Sequence, residues 1–208
     1  MKIELYHVGP LDTNCYHLTC EETGESVLID PGGFPEALFR DNPRPLLRAI
    51  LLTHGHFDHI AGVEEVVRLT GAPVMVHPLD APLLGDSYLN GSAMFGMGMG
   101  SVKPDILLSE GEYIEFGQCG LTVLHTPGHT QGGISFHSPK DRIIFSGDEL
   151  FRLSVGRWDL PGGSYRTLMD AIRAVFVPLP DDTVVYPGHG DSTTIGFERK
   201  QNEFMREC

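Results

Sequence analysis

The chain has 208 residues, 41% hydrophobic and 21% charged, with no low-complexity tract, enough for one domain with a sizeable core. Its formal net charge of −13 speaks against nucleic acid or an anionic membrane surface as the main partner. The start of the chain has no apolar signal core, no run of about 18 apolar residues follows, and Cys15, Cys20, Cys119 and Cys208 form no C-x-x-C pair or disulfide framework, so the expected setting is the reducing cytoplasm.

Residues 2–8 and 13–20 alternate as strands do, joined by a Gly9-Pro10 turn. Residues 21–25 look like a hairpin tip, and Val27-Leu28-Ile29-Asp30 is a short buried strand that stops at Pro31-Gly32-Gly33. Pro35 suits the first turn of a short helix over 35–41. Residues 47–53 form another apolar strand, and Ile60, Val63 and Val67 give a helix running to Gly71. A strand is expected at 74–77. Residues 85–104 are rich in Gly and Met, carry Tyr88 and Phe95, and show little periodicity. They read as a mobile loop, either a substrate lid built on adaptable Met side chains or a plain connection.

Several strands follow between 106 and 146. Ser164 is placed to cap a helix whose Leu168, Ala171, Ile172, Val175 and Phe176 form one apolar face. A last strand covers 184–186 and a terminal helix 195–205. This order predicts an α/β fold, one domain over 1–208, with sheets sandwiched between helical layers.

The most informative segment is Thr53-His54-Gly55-His56-Phe57-Asp58-His59. Imidazole is the commonest protein ligand for a transition metal, and a carboxylate serves beside it. A capping Asp alone would not require three histidines. Three further candidates follow apolar strands on glycine-bearing turns: His125-Thr126-Pro127-Gly128-His129, Ser146-Gly147-Asp148 and Pro187-Gly188-His189-Gly190. Strand ends opening on one edge of the sheets can converge on a single site, and glycines let the backbone turn sharply there.

Taken together, H-x-H-x-D-H, P-G-H-T, S-G-D and P-G-H-G resemble the metallo-β-lactamase superfamily over nearly the whole chain. Within it, the stretches 146–163 and 186–196 resemble the short glyoxalase II-like hydrolases that lack a C-terminal helical domain. The resemblance implies a four-layer αββα sandwich with the metal site at one edge of the two sheets. It implies His54, His56 and His129 as ligands of one metal, Asp58, His59 and His189 as ligands of a second, and Asp148 as the bridging carboxylate. Two divalent ions about 3.5–4 Å apart lower the pKa of a shared water and polarise a carbonyl. Asp58, beside that nucleophile, is the candidate catalytic residue. Zinc is the first expectation for the metal, with iron and manganese as alternatives, since mixed His/Asp ligation selects weakly.

The remaining histidines carry less. His125 is outside the ligand pattern, and His7, His17, His77 and His137 read as hydrogen-bonded or surface residues on strands. Asp30 reads as a turn residue that could also bond a ligand histidine. Arg157 matches the basic position of the family's glutathione loop and is the candidate substrate contact, against a plain salt bridge with Asp159, which stands where the family has a tyrosine. The expected partner is a small acyl-thiol such as S-lactoylglutathione, cleaved as a thioester. The alternative is a mononuclear-iron persulfide dioxygenase, whose G-R-x-D loop Gly156-Arg157-Trp158-Asp159 resembles, although that group ends in P-A-H-D rather than Pro187-Gly188-His189-Gly190. The acidic balance argues against a nuclease, the open His/Asp ligand set against a closed structural metal module, His56 against a flavin-partnered di-iron reductase, and the absence of an export signal against antibiotic hydrolysis.

Overall fold

The computed structural model describes residues 1–97 and 102–208. A first sheet of six strands lies in chain order: β1 (Lys2–Val8), β2 (Thr13–Thr19), β3 (Glu25–Ile29), β4 (Leu46–Leu51), β5 (Val74–Val76) and β6 (Ile106–Leu107). The second sheet begins β7 (Tyr113–Phe116), β8 (Cys119–His125), β9 (Ile134–Ser138), β10 (Ile143–Gly147). A two-stranded ribbon, β11 (Leu150–Phe151) and β12 (Ser154–Val155), interrupts the chain before β13 (Val184–Pro187) and β14 (Thr193–Thr194) complete that sheet beyond β10. The helices are α1 (Glu36–Asp41), α2 (Phe57–Ile60), α3 (Val63–Thr70), α4 (Tyr165–Ala171), α5 (Ile195–Gln201) and α6 (Glu203–Arg206).

Side-chain alternation sorts these elements into layers. In β3 and β4, Val27, Ile29, Ala49 and Leu51 face inward, where they meet Leu121, Val123, Phe136 and Phe145 of the second sheet. Their neighbours Leu28 and Ile50 face outward against Leu38, Ile60, Val63 and Val66 of α1, α2 and α3. On the other side, Ile144 and Val185 pack on Leu168, Ile172, Ile195 and Met205 from α4, α5, α6 and the turn after α4. Strands buried on both faces account for the unbroken apolar runs at 49–52 and 143–145. The result is the four-layer αββα sandwich that the resemblance implied.

The predicted elements hold with local differences. The helix expected from Ile60 to Gly71 is two helices, α2 and α3, separated at Ala61 and Gly62. Gly62 N–H donates to Pro31 O at 2.8 Å, and a Cβ there would collide with the backbone of Gly33. The terminal helix is likewise divided at Asn202, whose Oδ1 caps Phe204 N–H while its Nδ2 donates to Ser154 O. Beyond α4 the chain widens into a π turn over Ile172–Phe176. Of the stretch 85–104, residues 98–101 lie outside the described residues; the rest includes a short 3₁₀ turn, Ser92–Phe95, and Val102 N–H bonded to Leu84 O. Among the described residues, no helix is long and apolar enough to cross a membrane.

Strand direction places the loops. β3 runs parallel to β4, and β10 runs parallel to β13. β8 and β10 both run antiparallel to β9. The C-terminal ends of β3, β4, β8, β10 and β13 therefore open at one edge of the sandwich, and Asp30, the 53–59 loop, His129, Asp148 and His189 all follow one of them.

Candidate metal centre

Every sequence-predicted ligand reaches this edge. His54, His56 and His129 form one group whose donor atoms all lie within 4.8 Å of one another, and Asp58, His59 and His189 form a second. Within the first, His56 Nδ1 and His129 Nε2 are 2.8 Å apart. In the second, Asp58 Oδ2 lies 3.1 Å from His189 Nε2 and 3.6 Å from His59 Nε2. Asp148 stands between them: its Oδ1 is 3.3 Å from His59 Nε2, and its Oδ2 is 3.7 Å from both His129 Nε2 and His189 Nε2.

Buried polar and backbone partners aim the rings of His59 and His129 and hold the turn that carries His189. Asp30, the residue after β3, adopts a left-handed φ of 49°, which short polar side chains tolerate. Its carboxylate accepts Thr53 N–H at 2.8 Å, Thr53 Oγ1–H at 2.5 Å and His59 Nδ1–H at 2.9 Å. It thus ties β3 to the histidine loop and leaves His59 Nε2 facing Asp148. A third donor cluster, Asp30 with His54 and His59, is a weaker candidate for a cation because these bonds already use both Asp30 oxygens. His129 is fixed by Nδ1–H donating to Arg157 O at 2.7 Å. Last, the His189 turn is held by Asn14 Nδ2, which donates to Pro187 O and Gly190 O, and by Tyr16 OH, which donates to Pro187 O at 2.7 Å. Gly188 is required for close approach: a Cβ there would strike Asp148 Oδ1 and come within 2.6 Å of His59 Cε1.

Asn14, Tyr16, Asp80 and Glu149 are absent from the sequence-based candidates. Asp80 accepts Gly55 N–H at 2.9 Å and Gly132 N–H at 2.7 Å, bracing the loops of His54, His56 and His129 together. Glu149 Oε1 accepts His129 N–H at 3.3 Å. Nothing in local spacing distinguishes Asp80, since both of its partners lie far along the chain. His125 stays outside the donor groups and stacks on His77 with ring centroids 4.3 Å apart. The ion pair weighed for Arg157 is present: Nε and Nη2 donate to Asp159 at 2.8 and 3.0 Å, while Arg157 also borders the cleft over the donor groups.

The donor set fits a pair of divalent ions. Among the described residues, His54 Nε2, His59 Nε2 and Asp148 Oδ1 are buried with no hydrogen-bond partner, a costly state unless something else engages them. The charge pattern agrees. Burial, then the neighbouring His59 and His129, holds His54 well below the ordinary imidazole value. Burial and then His129 push His56 down to about 3. Burial also opposes charge on His59, yet Asp148, Asp58 and Asp30 outweigh it and its pKa rises well above the usual value. His189 follows the same pattern: burial lowers it, while Asp58 and Asp148 prevail and raise it.

This split predicts the pH response of the metal-stripped protein. Below the unfolded histidine value of 6.5, the unfolded chain takes up protons that His54 and His56 refuse, so stability falls on acidification. Above 6.5, folded His59 and His189 still hold protons that the unfolded chain has released, so stability falls again as pH rises through their folded values. With chelator present, the thermal midpoint should peak near pH 6.5. Metal should restore the alkaline side, since cations replace those protons. A chelated midpoint that climbs steadily from pH 5 to 9 would rule this out.

A family model described as the metallo-beta-lactamase superfamily matches residues 8–189. A probable metallo-hydrolase, YqgX of Bacillus subtilis, is 37% identical over 99% of this chain and 98% of its own. Hydroxyacylglutathione hydrolase GloC of Haemophilus influenzae is 34% identical over 99% and 98%. Among solved structures, BLEG-1, described as a B3 metallo-beta-lactamase, superposes with a TM-score of 0.92 at 40% identity, covering 98% of this chain and 99% of its own. TTHA1623, solved in a di-iron-bound form, superposes with a TM-score of 0.86 at 40% identity, covering 97% and 99%. Sequence pattern, layer order and the loops at the sheet edge agree, and the chain belongs to the metallo-β-lactamase superfamily.

Proposed function

We propose that this protein is a binuclear metallohydrolase of the glyoxalase II-like type that cleaves a small acyl-thiol ester. The observation that carries the reading is Asp148, which stands between two three-donor groups and borders the cleft over them. In the reading, His54, His56 and His129 hold one ion, Asp58, His59 and His189 hold the other, and Asp148 serves both. A bound ion pair supplies an activated water at neutral pH and polarises the scissile carbonyl. The chain's own residues orient and hold charge. Burial would raise the Asp58 pKa, but His59 and His189 lower it, so Asp58 is ionised at neutral pH and able to accept the water's proton.

The similarity to GloC supports a thioester substrate. Similarity to TTHA1623 supports iron beside zinc as the resident metal. BLEG-1 supports a second reading, β-lactam hydrolysis, on the same donor set.

Elemental analysis combined with a substrate panel tests the proposal. About two transition-metal ions per chain, with thioester turnover exceeding that of a cephalosporin, is the expected result. One iron per chain with oxygen uptake on glutathione persulfide would replace the reading with a dioxygenase, and preferred cephalosporin turnover would replace it with a lactamase.

A further inference from the structure

Outside the donor groups, the wall of the cleft is apolar. Leu11, Phe57, Met94, Phe95 and Leu160 line it beside His56, Asp58, His129, Asp148 and His189. Phe57 is buried and packs against Phe95 with the rings tilted and their centroids 4.9 Å apart. In contrast, Met94 is 65%, Phe95 57% and Leu11 41% exposed. Exposed apolar side chains clustered at a cleft mark a ligand surface.

The polar side chains on that wall are already engaged. Asn90 Nδ2 donates to Leu83 O at 3.0 Å, and its Oδ1 accepts Ser92 N–H at 2.9 Å. The Arg157 guanidinium makes its two bonds to Asp159. At Arg157 an entering carboxylate would therefore meet a neutral ion pair, not a free guanidinium. Lys103, the basic residue nearest in sequence to Met94 and Phe95, borders a different surface pocket, with Glu64 and Asp105. A group attached to a carbonyl over the donor groups meets Leu11, Met94, Phe95 and Leu160 as the apolar side chains of that cleft.

We infer that the cleft takes an acyl-thiol whose group beside the reacting carbonyl is uncharged and apolar, in preference to a glutathione thioester with its two carboxylates. This rests on the thioester reading. A wall half open to water returns part of the roughly fourfold gain per methylene that full burial gives. In the metal-loaded protein, kcat/KM should rise about twofold to threefold per methylene from acetyl to octanoyl on an N-acetylcysteamine thiol. A parallel series with acetyl held constant and the thiol lengthened shows which side of the carbonyl meets the wall. Met94→Ala with Phe95→Ala should halve the slope of log kcat/KM on chain length; an unchanged slope would overturn the inference.

Asp159→Asn frees Arg157 and should raise kcat/KM for a succinyl thioester relative to a butyryl one at least fivefold; an unchanged ratio would overturn the view that Asp159 silences Arg157. Equilibrium binding separates failure of this inference from failure of the thioester reading. The octyl thioether of N-acetylcysteamine, which has no scissile bond, should bind at least tenfold more tightly than S-octylglutathione. Equal or tighter binding of the glutathione conjugate would overturn the inference whatever the protein hydrolyses.

Discussion

Replacing Asp58 with alanine should lower kcat/KM for thioester cleavage by at least about a thousandfold, because it removes both a positioned proton acceptor and the anionic member of the second donor group. Asp58 is the second residue of α2, a single helical turn wedged between the histidine loop and the 31–33 turn. The side chain is buried, and among the described residues its one hydrogen bond is with His189 Nε2 at 3.1 Å. That bond does not hold backbone to backbone, so the fold has little reason to depend on it. What changes is charge. Without Asp58, His189 and His59 lose a carboxylate that raises their pKa values, and the second donor group keeps two nitrogens and no anion of its own. Near-unchanged circular dichroism with lost turnover is the expected pair of results. Asp58→Asn, which keeps shape and can still hydrogen-bond to His189, should be as inactive. Activity within tenfold of wild type in either variant would sink the assigned role.

The parts of this site visible in the sequence are those in which chemistry and chain punctuation coincide. His54, His56, Asp58 and His59 follow an apolar run, and His129, Asp148 and His189 each follow a strand on a glycine turn, so ligand type and strand end can be read together. The layering was legible for a similar reason, because strands buried on both faces leave continuous apolar runs. Asp30 was half legible: its place before Pro-Gly-Gly marked the turn, and only the fold shows its carboxylate reaching Thr53 and His59.

Long-range supports escaped the sequence because their partners are distant along the chain. Asn14 meets Pro187 across 173 residues, and Asp80 meets Gly132 across 52. No local period records such a pairing. The α2–α3 break was hidden as well, because the apolar pattern from Ile60 to Val67 continues through it while the cause, Gly62 against the 31–33 turn, is tertiary.

Asp30→Asn is expected to remove one of the two ions and spare most of the fold. The native carboxylate accepts from Thr53 N, Thr53 Oγ1 and His59 Nδ1. An amide of the same shape keeps the Thr53 N–H bond through its oxygen but turns an NH₂ toward Thr53 Oγ1 and His59 Nδ1. Thr53 Oγ1 can answer by accepting. His59 must answer by moving its proton from Nδ1 to Nε2, the nitrogen that faces Asp58 and Asp148. A protonated Nε2 cannot ligate, so affinity at the Asp58, His59 and His189 group should fall about 10- to 100-fold, as for other partners that orient a metal-bound histidine. The stability cost in the metal-free protein should be about 2 kcal/mol, because charge-assisted bonds become neutral ones while the amide fills the carboxylate's place. Asp30→Ala, which strands Thr53 N–H and His59 Nδ1–H in the core, should cost about 4 kcal/mol. Dialysis against weak chelator followed by elemental analysis separates the cases. Asp30→Asn should retain about one ion where wild type retains two. Retention of both would show that His59 is oriented by something other than Asp30.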